Sequence, residues 1–131
     1  MAEIEPNLRT YFLAQSSVTD LISTRLYVDR IDPSIEPTYP LAIMQTIIEN
    51  TDYAHDGELM PRALIQVDVF SDDKSESVTT ATTMRDEVSG YSGAIGSLSN
   101  VTIFVSNIRG GWDTGTQRFR RMFDVDVRVN G

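Results

Sequence analysis

The chain has no cysteine. A disulfide framework, a thiolate metal site and a thiol nucleophile are therefore all excluded, and the redox compartment is left open. Histidine is scarce too, His55 being the single one. Basic charge is in deficit: eleven Lys and Arg stand against nineteen Asp and Glu, for a net charge of -8 and a pI near 4.4. The summed field of such a chain repels phosphate backbones, which argues against tight nucleic-acid binding. Long apolar runs are missing, and none approaches the roughly 20 residues of a membrane-spanning helix. The opening MAEIEPNLRT is acidic and polar where a secretory signal would be basic and then apolar. The expectation is an intact, soluble chain made in the cytoplasm. Its 131 residues, 40% of them apolar, suffice for one domain spanning 1–131 around one modest core.

The pattern along the chain then gives the elements. Leu8, Tyr11, Phe12 and Gln15 share a helical face, and Pro6 suits a first turn, which predicts a helix from about Glu5 to Ala14. Ser16 and Ser17 offer caps for a short second helix carrying Val18, Leu21 and Ile22. Residues 25–31, RLYVDRI, alternate as a short strand, and prolines at 33, 37 and 40 make a stiff loop after it. LAIMQTIIENTD is apolar on both parities through Ile48, which predicts a strand covered on both faces or lying at the sheet centre. The Asp56-Gly57 turn signal joins it to RALIQVDVFS as a long β-hairpin. Asp72 and Asp73, with Glu76 three residues after Asp73, open a helix that carries Val78, Ala81, Met84 or Arg85, and Val88, and stops near Gly90. GYSGAIGSLSN reads as a loop, VTIFVSNIRGGW as a strand, DTGTQ as a turn and RFRRMFDVDVRVN as the last strand. This order predicts an α+β domain, a mostly antiparallel sheet with two or three helices on one face.

Candidate chemistry is thin. His55 with Asp52, Asp56 and Glu58 lacks the fixed spacing of a metal motif and reads as a polar hairpin tip. GYSGAIG fails as a nucleophile elbow, because Ala94 stands where glycine is needed and no base is near. It fails as a dinucleotide loop because its glycines follow a helix instead of opening one. Asn100-Val101-Thr102 is a chance glycosylation match, and Asp72 and Asp73 are more simply helix caps than an acid pair. No catalytic, cofactor or metal residues are assigned, and the chain reads as a non-enzyme.

Three arginines within four residues of 118–121 invite a nucleic-acid reading, but strand parity divides them. Phe119, Arg121, Phe123, Val125, Val127 and Val129 point one way; Arg118, Arg120, Met122, Asp124, Asp126 and Arg128 point the other. The second face interleaves both signs, so it suits ion pairs with neighbouring strands or subunits better than a phosphate track. Candidate protein-contact residues are Arg118, Arg120, Asp124 and Asp126 on that face, and Tyr53, His55, Glu58, Leu59 and Met60 at the hairpin tip. Trp112, behind Gly110-Gly111, is read as an anchor of the core or of an interface, with general burial tendencies favouring the core.

The succession SVTDLISTRLYV, YPLAIMQTI, RALIQVDVFSDD, the helical MRDEV and a late Trp112 before a charged strand resembles the tail-completion or tail-terminator (head-tail joining) proteins of long-tailed bacteriophages. The likeness spans nearly the whole chain. Its clearest parts are Tyr39-Pro40-Leu41-Ala42-Ile43, proline leading into a strand, and Ile65 to Ser71 leading into a helix. It implies a small α+β subunit that forms a hexameric ring at the head-proximal end of the tail tube, stops tube polymerisation and meets the head connector. It also implies no activity and no cofactor, the tail tube protein and the connector or stopper as partners, and DNA passing through the lumen without specific binding. The place implied is the virion, after assembly in the host cytoplasm. The alternative is another connector (stopper) or minor tail component of a phage, prophage or gene-transfer particle.

Overall fold

A computed structural model describes residues 4–53 and 59–129. Three helices and six strands follow in the order α1 (Ile4–Leu13), α2 (Ser16–Ile22), β1 (Leu26–Val28), β2 (Leu41–Tyr53), β3 (Leu59–Ser71), α3 (Lys74–Val88), β4 (Ser92–Ile95), β5 (Leu98–Asp113) and β6 (Arg118–Val129). The strands form one sheet in the order β1-β2-β3-β6-β5-β4. Every neighbouring pair is antiparallel except β1 and β2, which the proline-rich loop makes parallel. The predicted α+β class and mostly antiparallel sheet are what the chain adopts.

The helices cover one face of the sheet. Ile4, Leu8 and Phe12 of α1, Val18 and Ile22 of α2, and Ala81, Met84 and Val88 of α3 pack on Met44, Ile65, Val67, Val69, Ile103, Phe123, Val125 and Val127. Burying an aliphatic or aromatic side chain contributes roughly 1.5–3 kcal/mol, so this layer is the chief source of stability. Tyr11 reaches across to α3, its hydroxyl donating to the Glu87 carbonyl at 3.2 Å, with its ring 5.1 Å from that of Tyr91. Burial, then the neighbouring Tyr91 and Glu87, raise its ionisation above the usual phenol value.

Several local expectations are corrected. The 90–100 stretch is not all loop: Ser92–Ile95 forms β4, hairpinned onto β5. Gly96 at the turn has φ +56°, and a Cβ there would run into the Asn7 side chain, whose Oδ1 accepts from Ser97 N–H at 3.2 Å. The start of α3 is capped by Asp73, whose carboxylate takes Ser75 N–H at 2.9 Å, but no reciprocal box forms. Glu76 instead accepts the Ser71 hydroxyl at 2.6 Å. At α2 the N-cap position is Gln15 without a side-chain cap, and Ser17 hydrogen-bonds to Glu87. β2 is not covered on both faces. A bulge between Thr46 and Ile48 reverses its phase, so Ala42 and Met44 point to the core whereas Ile47 and Ile48 are 47% and 49% exposed.

Candidate protein-interaction surfaces

The sheet face that the helices leave bare is built from alternate residues of β2, β3, β6 and β5. The register brings Gln66 level with Asp124, Leu64 with Asp126, and Arg62 with Arg128. Opposite charges on adjacent strands therefore meet. Arg62 holds Asp126 through two hydrogen bonds of 3.1 and 2.9 Å, and Arg128 takes the same carboxylate at 3.1 Å. Arg120 meets Asp68 at 2.8 Å, and Gln66 donates to the other Asp68 oxygen at 2.8 Å. Arg109 approaches Asp124 at 3.4 Å and Gln66 Oε1 at 3.2 Å, while Asn107 Nδ2 donates to Asp124 at 2.9 Å. Asp68 and Asp124 are thereby 8% exposed on a face open to solvent.

Burial by itself would raise the Asp126 carboxyl. The hydrogen bonds and charge of Arg62 and Arg128 outweigh it and hold the group below the usual carboxylate range. Guanidinium groups also lie over rings at the margins of this face: Arg118 over Tyr39 at 4.4 Å, Arg120 over Phe70 at 5.7 Å and Arg128 over Phe104 at 5.1 Å.

The strand parity read from the sequence is the one observed, with Phe123, Val125 and Val127 in the core and the charged set opposite. Arg118 and Arg120 both find carboxylates within their own chain, Arg118 Nε lying 2.6 Å from Asp72. Asp124 and Asp126 are likewise engaged internally. At the hairpin tip, His55 and Glu58 lie outside the described residues. The backbones of Tyr53, Leu59 and Met60 belong to β2 and β3, Tyr53 pairing with Leu59, but their side chains lie outside the described set.

Trp112 is not in the core. It is 51% exposed and stands edge-on to Phe119 with ring centroids 4.9 Å apart. The end of β5 on which it sits runs beside the start of α3, where a cleft of about 310 Å³ opens between Lys74, Ser77 and Val78 on one side and Trp112, Phe119 and Arg121 on the other. Gly110 keeps this floor low: a Cβ there would lie 2.9 Å from Arg121 Cδ.

The feature that pattern reading missed is where the exposed apolar side chains collect. Six large ones are exposed among the described residues: Ile35, Ile47, Ile48, Phe104, Ile108 and Trp112. All but Ile35 lie on two strand segments, one on β2 and one on β5, each with a side that no strand occupies among the described residues. β1 covers β2 only at Ala42 to Met44, and β4 pairs with β5 only between Leu98 and Thr102. A signal for this was present, since QTIIENTDY (45–53) and FVSNIRGGWD (104–113) contain neither the proline nor the lysine that commonly protects an open edge.

Neither a protein-family model nor a curated protein matches the chain in sequence. In fold, 24 chains of solved structures match. One of them belongs to the virion of a native gene transfer agent (GTA) particle: it superposes with a TM-score of 0.71 at 14% identity, over 95% of this chain and 92% of that one. At this identity the likeness is one of fold.

Proposed function

We propose that the protein is a structural subunit of a phage-like particle. Within the particle it caps the head-proximal end of the tail tube as a hexameric ring, stops tube growth and joins the tail to the head connector or stopper. The observation that carries the reading is the shared fold with a gene-transfer-agent virion chain along nearly the full length of both. The resemblance to tail-completion proteins supports the finer role. The bare sheet face fits a non-enzymatic part, because among the described residues Asp68, Asp124 and Asp126 are all engaged by arginines, which ties up both signs of charge. Asp124, Asp126, Arg118 and Arg120 then serve first to order this face, and the 53–60 tip remains a candidate contact with the tube or connector. The second reading, a stopper or minor tail component, rests on the same fold likeness.

Particles made without this protein decide between them. Loss of a terminator gives overlong tails and unjoined heads under negative-stain electron microscopy. Tails of normal, uniform length with only the heads unjoined would favour the stopper, and fully normal particles would overturn both readings.

A further inference from the structure

The two open edges complement each other. Counting along the sheet, β2 and β6 run one way and β3 and β5 the other, so β2 of one copy laid beside β5 of the next is antiparallel. The free stretches match in length, Gln45–Tyr53 against Phe104–Asp113, and carry five of the six exposed large hydrophobics.

They are also offset. Ile48 is level with Leu64, Asp126 and Phe104. From that level the open part of β2 runs towards the hairpin tip, and the open part of β5 runs away from it, towards the 114–117 turn. Bringing the two edges fully alongside requires neighbouring copies to slide by about five residues over the four strands between the edges. With ~3.3 Å per residue and ~4.8 Å per strand this slope is about 40°, which falls inside the roughly 35–45° tilt of closed β-barrels. β1 and β4 occupy the remainder of each edge and act as stops that fix the slide.

We propose that the β2 edge of one copy pairs antiparallel with the β5 edge of the next, so that copies of this chain close a continuous barrel. The contact is heterologous, as a ring requires. The bulky helix layer takes the outside, and the bare face lines the lumen with Arg62, Arg109, Arg120 and Arg128 set against Asp68, Asp124 and Asp126. A lumen of paired charges lets a polyanion pass without holding it. This inference rests on the ring reading given above and adds the surface that builds the ring.

The absence of cysteine allows a direct test. Single cysteines are placed on β2 (Ile48→Cys, Glu49→Cys or Asn50→Cys) and on β5 (Ile108→Cys), the fold of each variant being checked by circular dichroism. Full-length β2 and β5 variants are mixed, assembled into particles, oxidised and run on non-reducing gels. At least one mixture should give cross-linked dimer about tenfold above either variant alone, as expected when Cα atoms fall within ~7 Å. A double variant such as Asn50→Cys with Ile108→Cys should give a ladder ending at the ring size. Cross-linking of one variant with itself, or incorporation into particles with no β2–β5 cross-link, overturns the edge pairing while leaving the assembly role intact. Failure of the unmodified protein to enter particles overturns the ring reading itself.

Discussion

The two faces of the sheet share the same strands and are held by different physics. On the helix side, Ile65, Val67, Phe123, Val125 and Val127 are at most 1% exposed, and their contribution is non-directional burial. On the bare side, the intervening Gln66, Asp68, Asp124 and Asp126 engage arginines that are themselves 32% to 43% exposed, such as Arg120, Arg109 and Arg62. Half-exposed ion pairs add little net stability, because desolvation and side-chain ordering offset most of the attraction. The difference teaches that β6 stabilises the fold through one parity and specifies register and surface character through the other.

Substitutions on the two parities should separate these roles. The largest effect is expected for Phe123→Ala, which empties a fully buried site against the helices and should cost about 3–5 kcal/mol in urea unfolding. Met84→Ala, on the facing side of α3, should cost about 2–5 kcal/mol by the same mechanism. Next comes Asp124→Ala, which strips Arg109 and Asn107 of a common acceptor. Because Arg109 is 40% exposed and can turn to water, the loss should be about 1–2 kcal/mol. The smallest is Arg128→Ala, at 46% side-chain exposure, with an expected change of about 0.5 kcal/mol that shrinks in added salt. If Arg128→Ala matched Phe123→Ala in cost, the contrast between the faces would collapse.

Acid sharpens the same contrast. The Asp126 carboxyl sits below its ordinary value of 3.8 in the folded chain, so its contribution is fully present above the unfolded value and is lost as pH falls through the folded one. Asp126→Asn should therefore lower stability at neutral pH and flatten the decline below pH ~4, whereas Phe123→Ala should shift the whole curve down with its shape kept. Urea midpoints measured from pH 2 to 7 would separate the two.

Much of this arrangement is legible in the chain. The alternation in 118–129 assigns each side chain of β6 to its face, since strand periodicity is local and no bulge interrupts it against β3. The spacing of Leu8 and Phe12, and of Ala81, Met84 and Val88, identifies the buried sides of α1 and α3 for the same reason. The misread elements are those where a non-local partner or a backbone irregularity intervened. Periodicity cannot count the extra residue at Thr46/Ile48, so an apolar run on both parities read as double burial when it marked a change of phase. Trp112 read as core by its type, but the cleft between the start of α3 and the end of β5 leaves it 51% exposed. The serine- and glycine-rich Ser92–Ile95 became a strand because β5 offered it a backbone ladder, which local propensity does not reveal.

The amino-acid sequence by itself determined the element types, the apolar layer and the mixed charge of the opposite face, because these follow from short-range periodicity and composition. Only the tertiary structure decided which carboxylate each arginine meets and which stretches of β2 and β5 have no strand beside them among the described residues. Both depend on register and strand order, which are set by contacts between residues far apart in the chain.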